Sequence, residues 1–174
     1  MNQHNLSVIP IVESSHLSRG VRMSEEVVDR VKKALDGRRV KYELTVHEPV
    51  YTSEQAARIR GVSIKTGVKA LVLKTYEHRF ILVLVTADKR ADLEKIAELE
   101  GTKNVRLANP QEVFEATGCE IGSVPPFGHL TELKTYMDRE ILENDEVNFN
   151  CGLHTKSIKM KSQDLLKVIN PVFI

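Results

Sequence analysis

Hydrophobic and polar positions recur along this chain at two periods, near 3.6 and near 2, and the switches between them divide it into short elements. Val27, Val31, Ala34 and Leu35 fall on one helical stripe. Ser24 stands where a cap belongs, and Glu25 and Glu26 follow at the positive end of the dipole, so a helix is predicted from Ser24 to its stop at Gly37. Val40, Tyr42, Leu44 and Val46 then alternate with Lys41, Glu43, Thr45 and His47, the pattern of a half-buried strand whose end carries His47 and Pro49. Thr52 with Gln55 has the spacing of a capping box and opens a short helix through Arg60, closed by Gly61. Val68 to Lys74 and Phe80 to Thr86 read as two strands joined by the polar turn Tyr76-Glu77-His78-Arg79. The second is apolar on both faces, which predicts a central position in a sheet.

The second half continues in the same way. A helix from Ala91 to about Leu99, with Gly101 beyond it, precedes a short strand at Val105 to Leu107. Asn109-Pro110-Gln111-Glu112 is a strong helix start, and that helix runs to Thr117 and stops at Gly118. Leu133 to Met137, Val147 to Cys151 and Thr155 to Met160 read as strands, and Ser162 is placed to cap a last helix, Gln163 to Ile169, before Asn170-Pro171. Helices and strands intermix without a strict βαβ rhythm, and consecutive hairpins imply antiparallel pairs. The predicted class is therefore α+β, a single domain over 23–174 with a mixed, curved β-sheet flanked by helices. Residues 1–22 show no periodicity and read as a loosely ordered N-terminal arm.

One segment obeys neither period. Thr117 to His129 holds Gly118, Gly122 and Gly128 and the adjacent Pro125 and Pro126. The prolines fix φ and lack an N–H, so this backbone cannot join a ladder or a helix interior. The glycines permit positive φ and close approach of a ligand to the main chain. A stiff, site-forming loop is expected, with a plain connector as the alternative.

Composition narrows what such a loop serves. A chain of 174 residues with 41% hydrophobic content suits one domain with a sizeable core. Its longest apolar run, Phe80 to Val85, is far too short to cross a membrane, and Met1-Asn2-Gln3-His4-Asn5 lacks a basic signal region, so a cytoplasmic protein is expected. A net charge of +1 excludes a protein that coats nucleic-acid backbone, but not one that grips one end of an RNA. The basic clusters Lys32/Lys33, Arg38/Arg39/Lys41 and Lys156/Lys159/Lys161 read as solvated faces.

Candidates for chemistry are few. Alternation along Val68 to Lys74 puts Lys69 on one face with Leu71 and Leu73, where its ammonium either snorkels out of the sheet end or enters a cleft to meet an anion. GxSxG, HExxH, Walker and GxGxxG patterns are absent from the sequence. Cys119 and Cys151 lack CxxC spacing and read as free thiols; neither a metal nor a cofactor is expected. A thiol nucleophile beside His129 or His154 is the competing, weaker reading.

His47-x-Pro49 with Ala56-Ala57, the lysine strand Val68 to Lys74, Gly118-x3-Gly122-x2-Pro125-Pro126-Phe127-Gly128, Tyr136-x-Asp138 and Cys151-Gly152 occur in this order. Over roughly Val40 to Leu166 the chain resembles the YbaK/prolyl-tRNA-synthetase-associated editing-domain family. The resemblance implies a free-standing deacylase that hydrolyses the ester of a mischarged tRNA carrying a small amino acid. Its partners would be the 3′ end of aminoacyl-tRNA and, for some members, an aminoacyl-tRNA synthetase. Lys69 matches the family lysine that holds the phosphate or ester end of the substrate. The Gly118 to Gly128 loop matches the segment lining the aminoacyl pocket. The resemblance thus implies Lys69 and Gly128 as catalytic, and His47, Gly118, Gly122, Pro125, Pro126, Phe127, His129 and Gly152 as substrate-binding. Ala70 and His154-Thr155 stand where some relatives carry other residues, which leaves the amino acid open. Two other classes stay open as well: a hydrolase using Cys119 or Cys151, and a binding module of the same fold without turnover.

Overall fold

A computed structural model of the chain describes residues 18–174. Helix α1 (Arg19–Gly37) begins at Arg19, capped by the Ser18 hydroxyl, which accepts from the Val21 N–H at 3.4 Å. This corrects the predicted start after Ser24. Ser24 is 3% exposed and its Oγ donates to the Gly118 carbonyl at 3.1 Å, so its hydroxyl serves a tertiary contact instead of a cap. Arg19 to Arg22, expected in the arm, form the first turn of α1; the remainder of that arm, residues 1–17, lies outside the described residues. Val27, Val28, Val31 and Leu35 make the buried stripe.

Five strands form the larger sheet: β2 (Val68–Thr75), β3 (Phe80–Thr86), β4 (Val105–Leu107), β5 (Lys134–Met137) and β8 (Val172–Phe173), in the order β4-β2-β3-β5-β8. β2 is antiparallel to both its neighbours, whereas β3–β5 and β5–β8 are parallel. β3 occupies the centre, as its two-faced apolar run requires. Leu82 and Leu84 point into one core with the α1 valines, Phe127 and Phe149, and Ile81, Val83 and Val85 into another with Ile96 and Tyr136.

A second, three-stranded antiparallel sheet has the order β1-β7-β6, from β1 (Tyr42–Val46), β6 (Glu146–Asn150) and β7 (Lys156–Lys161). The expected mixed sheet is thus two sheets, joined by one parallel bridge between Gly67 and Asn148. β1 was expected to be half-buried, yet Leu44 and Val46 are 36% and 70% exposed. β1 is an edge strand paired only with β7, and its outer apolar side chains are left uncovered among the described residues.

Side chains written for caps do cap the remaining helices, α2 (Ser53–Arg60), α3 (Leu93–Glu100) and α4 (Pro110–Thr117). Thr52 Oγ1 accepts from the Gln55 N–H at 3.1 Å, while Gln55 Oε1 accepts from the Tyr51 N–H at 2.9 Å. Asn109 and Glu112 complete a reciprocal capping box at 2.9 Å each way. The last predicted helix is instead a 3₁₀ turn, Ser162–Lys167, without a side-chain cap. Ser162 is 1% exposed, and the chain must leave helical geometry quickly to pair β8 with β5.

The Glu112 carboxylate ties α4 to β2 and β4. Arg106 reaches it at 2.7 Å and Lys74 at 2.8 Å, and with the Asn109 N–H they hold its pKa far below the usual carboxylate range. A depressed folded-state pKa contributes stability that is present above the unfolded value, about 4.3, and lost as pH falls. Glu112→Gln is expected to lower Tm at pH 7. Thermal melts from pH 7 down to about 3 should show the gap between wild type and variant closing below pH ~4.3. A gap that stays constant with pH would show that the ion pairs contribute nothing.

Candidate functional site

β4 pairs with β2 only at Leu73 to Thr75, and this short pairing creates the site. The Val72 carbonyl accepts from the Ala108 N–H at 2.9 Å, so the backbone groups of Val72 face the β4 side of the strand. By strand alternation those of Ala70 face the same way, past the end of β4, where no strand follows. A cavity of about 250 Å³ lies along this free edge. Gly67 to Val72 form one wall, α2 with Ser63 and Ile64 another, and Leu107-Ala108, residues 121, 122 and 124, Asn148 and Asn150 complete it. Its apolar lining is mostly small, including Ala56, Ala57, Ala70, Ala87 and Ala108. Ala70 therefore offers a bare N–H and C=O side by side in a largely apolar setting.

Two cations line this cavity, one from β2 and one from α2, and its lining includes neither Asp nor Glu. The Lys69 ammonium donates to the carbonyls of Ala87, at 3.3 Å, and Lys89. Burial lowers its pKa, against the opposing pull of Asp88 and Glu54. The Arg60 guanidinium closes the last turn of α2 onto the smaller sheet. Its Nε donates to Ser157 Oγ at 2.9 Å, Nη1 to Asn148 Oδ1 at 2.7 Å and Nη2 to Asn150 Oδ1. The two amides are held in turn: Asn148 donates to Thr66 Oγ1 at 2.9 Å and Asn150 to the Gly122 carbonyl at 2.6 Å. Burial pushes the Arg60 pKa down to about 10.

Of the residues singled out in the sequence, Lys69 and Gly122 lie on the cavity. His47 stands behind it, its Nε2 2.5 Å from Ser157 Oγ, the hydroxyl that also receives Arg60. The rest of the loop turns the other way. A Cβ on Gly128 would stand 2.7 Å from Val31 Cγ2 and one on Gly152 3.0 Å from the Ser24 carbonyl, so these two glycines approach α1, whereas one on Gly118 would stand 2.6 Å from Leu130 Cδ1, within the loop itself. Gly152 also borders a smaller cavity of about 150 Å³ with His154 and Glu120. Pro125 and Pro126 are buried, and Phe127 is edge-on to Phe149 at 5.8 Å in the core. The His129 ring is 2.7 Å from the Pro125 carbonyl, and burial keeps its pKa below the ordinary value. Gly118, Pro125, Pro126, Phe127, Gly128, His129 and Gly152 thus fall outside the cavity wall that the loop was expected to form. Arg60, Asn148 and Asn150 went unnoticed in the sequence. The one signal for them is that Asn148 and Asn150 flank Phe149 at strand period, placing two amides on a single face.

The site is thus a compact, largely apolar cleft in an α+β domain, with an unpaired strand edge and two cations on its lining. The sequence profile described as the aminoacyl-tRNA editing domain matches residues 47–168, and the chain belongs to that family. Its function is accordingly aminoacyl-tRNA editing. It is 36% identical over 137 residues to the multifunctional Ser/Thr-tRNA deacylase ProXp-y of Escherichia coli K12, a match covering 76% of this chain and 82% of that protein. A segment of the proline–tRNA ligase of Xanthomonas axonopodis pv. citri is 32% identical over 90 residues, covering 52% of this chain and 16% of the ligase. A crystal structure described as that of a candidate trans-editing enzyme for prolyl-tRNA synthetase superposes with a TM-score of 0.73 at 31% identity, over 91% of this chain and 96% of that one.

The placement of Gly128 is testable. Its φ of +86° and the 2.7 Å and 3.0 Å approaches to Val31 side chain and backbone leave no room for a methyl group. Gly128→Ala is expected to lose about 2–4 kcal/mol of stability from left-handed strain and overpacking together. Denaturant titration checks this; a variant as stable as wild type but catalytically dead would return Gly128 to the reacting centre.

Proposed function

We propose that this chain hydrolyses the ester joining serine or threonine to a mischarged tRNA, with the acceptor end of the RNA entering the cavity beside β2. The observation that carries the reading is the free edge at Ala70 within a wall of small side chains. The substrate's α-ammonium finds an acceptor in the Ala70 carbonyl, and the ester carbonyl finds a donor in the adjacent N–H. Water adds to the ester carbon, and the oxyanion that develops is stabilised by that preorganised amide and by the positive field of Lys69. Collapse breaks the bond to the ribose oxygen, which leaves with a proton, and the amino acid departs as its carboxylate. An aminoacyl ester is already activated, so placement and charge stabilisation suffice without a nucleophilic side chain.

Size supports a small side chain: about 250 Å³ lies below the range of roughly 300–1,000 Å³ usual for drug-sized ligands. Hydroxyls of Ser53 and Ser63 and the amides of Asn148 and Asn150 supply polar company for a substrate hydroxyl. The similarity to a Ser/Thr-tRNA deacylase points the same way. Among the described residues no helix is long and apolar enough to span a membrane, and the cytosol, where charged tRNA circulates, is the place of action this reading requires. An aminoacyl-tRNA synthetase is the partner class that would supply the substrate, since similar segments lie within proline–tRNA ligases.

The thiol-hydrolase alternative has little support. Cys119 and Cys151 are 0% exposed, and burial pushes both thiols up to about 12, which leaves no thiolate for attack near neutral pH.

Purified protein and tRNA charged with alanine, cysteine, serine, threonine or proline provide the test. Wild type is expected to release serine or threonine, and Lys69→Ala to do so on the order of 10²-fold more slowly. Alkylating reagents should leave the folded enzyme active. Release of no amino acid would leave a tRNA-binding module in place of an enzyme.

A further inference from the structure

We propose that Arg60 is a phosphate-recognising residue of the cavity and takes the phosphodiester that links the terminal nucleoside to the rest of a tRNA. The proposal rests on the editing reading for the identity of the RNA, but the site itself is argued from charge and hydrogen bonding.

A guanidinium removed from water needs a counter-charge as well as acceptors. Arg60 has only the acceptors. Its three contacts, Ser157, Asn148 and Asn150, are neutral, and among the described residues no carboxylate lies within ion-pair distance of it. The contrast with Arg106 in the same molecule is direct, since Arg106 meets Glu112 through both terminal nitrogens. The charge of Arg60 is thus hydrogen-bonded into place and left uncompensated on a cavity wall that includes no acidic side chain.

Hydrogen-bond counting gives the valence of the missing group. A guanidinium has five N–H donors, and the contacts to Ser157, Asn148 and Asn150 use one on each nitrogen. One N–H on each terminal nitrogen is left over, so the guanidinium keeps two in-plane donors for an anion. The guanidinium is also preorganised. Asn148 is anchored by Thr66, Asn150 by the Gly122 carbonyl, and Ser157 by His47, so little ordering remains to be done when an anion arrives. The depressed pKa of Arg60 fits a cation whose charged form has yet to receive its partner.

The chemistry of the substrate then chooses among anions. The aminoacyl group carries an ammonium and no lasting negative charge, and the oxyanion exists only in passing. The permanent anion attached to an aminoacylated terminal nucleoside is its 5′-phosphate. Lys69, with one N–H beyond its two carbonyl contacts, adds a second positive charge to the lining of the same cavity.

Calorimetric titration with adenosine and with adenosine 5′-monophosphate tests the site without requiring turnover. Wild type is expected to bind the monophosphate at least about tenfold more tightly than adenosine, as hydrogen bonds to a charged group imply. Arg60→Gln should abolish that preference while leaving adenosine affinity in place, and Arg60→Lys, which keeps the charge without the two in-plane donors, should restore part of it. With charged tRNA, Arg60→Gln should raise KM far more than it lowers kcat. Wild type without a preference for the monophosphate, or Arg60→Gln that retains it, overturns the proposal. Thermal melts of both variants identify loss of fold, and Arg60→Lys decides the case if Arg60→Gln does not fold. A preference for the monophosphate in a protein that deacylates none of the charged tRNAs would uphold the phosphate site and overturn the editing reading alone.

Discussion

The approach of the glycine-rich loop and of the β6–β7 turn to one face of α1 sets the geometry on which the site depends. Gly118, Gly128 and Gly152 all have positive φ; Gly128 and Gly152 present their bare Cα to the stripe of Ser24, Val27, Val28 and Val31, and Gly118 presents its own to Leu130. At Gly128 and Gly152 side chains larger than hydrogen would hold the backbone off the helix. The helix is fully part of the core at these positions, with Val27 and Val31 both 0% exposed, so it acts as a fixed template against which the loops are cast. Ser24 Oγ and an Arg30 terminal nitrogen add hydrogen bonds to the carbonyls of Gly118 and His129, which fasten the two ends of the loop. Held at both ends, the segment can project only its middle, Ile121 to Val124, toward β2.

That projection completes a cavity which the sheet had already opened. β3 is paired along its length to β2, but β4 covers only one end of the far edge of β2. An uncovered edge with apolar neighbours is a hazard in most sheets, because unpaired backbone groups invite another strand. Here α2 stands over it, and the small side chains of Ala56 and Ala57 keep the helix from filling the space. The parallel bridge between Gly67 and Asn148 brings the smaller sheet to the same place. A Cβ on Gly67 would lie 2.9 Å from the Ala87 Cβ, so close approach is needed at this seam as well. Strand ends, a helix end and a loop middle thereby meet around one volume, and each contributes backbone or short side chains to it.

Local signals carried much of this in the sequence. The β2–β3 hairpin, the helix starts at Thr52 and Asn109, the stops at Gly61, Gly101 and Gly118, and the odd position of Lys69 all follow from interactions among residues close in the chain. The misreadings share the opposite cause. Ser24 looks like a cap until its hydroxyl is claimed by a residue far along the chain, and Ser162 does so until the pairing of β8 is known. The glycine-rich loop was legible as stiff and as conformationally special, but the pattern does not say what comes close, which is α1 at Gly128 and the loop's own Leu130 at Gly118. Arg60 was invisible for a related reason. At the end of a short helix an arginine is ordinarily a solvated partner of the dipole, and only the register of β6 and β7 reveals the neutral acceptors that draw it inward.

Why those acceptors are neutral bears on how the site works. An aspartate at position 148 or 150 would give Arg60 a closed ion pair and relieve its desolvation, yet the pair would then compete with any anion entering the cavity. Amides fix the orientation of the guanidinium without cancelling its charge, and they resist rotation because each spends its own N–H elsewhere. The folded protein thus carries an electrostatic penalty that an anionic ligand would remove, and the affinity gained on binding is the stability forgone in its absence. The same logic applies to Lys69, whose ammonium rests on carbonyl oxygens in place of a carboxylate. Two basic groups hydrogen-bonded to neutral oxygens would favour an anion in the cavity under the proposed reading, and the small apolar wall beside them would leave the choice of acyl group to size.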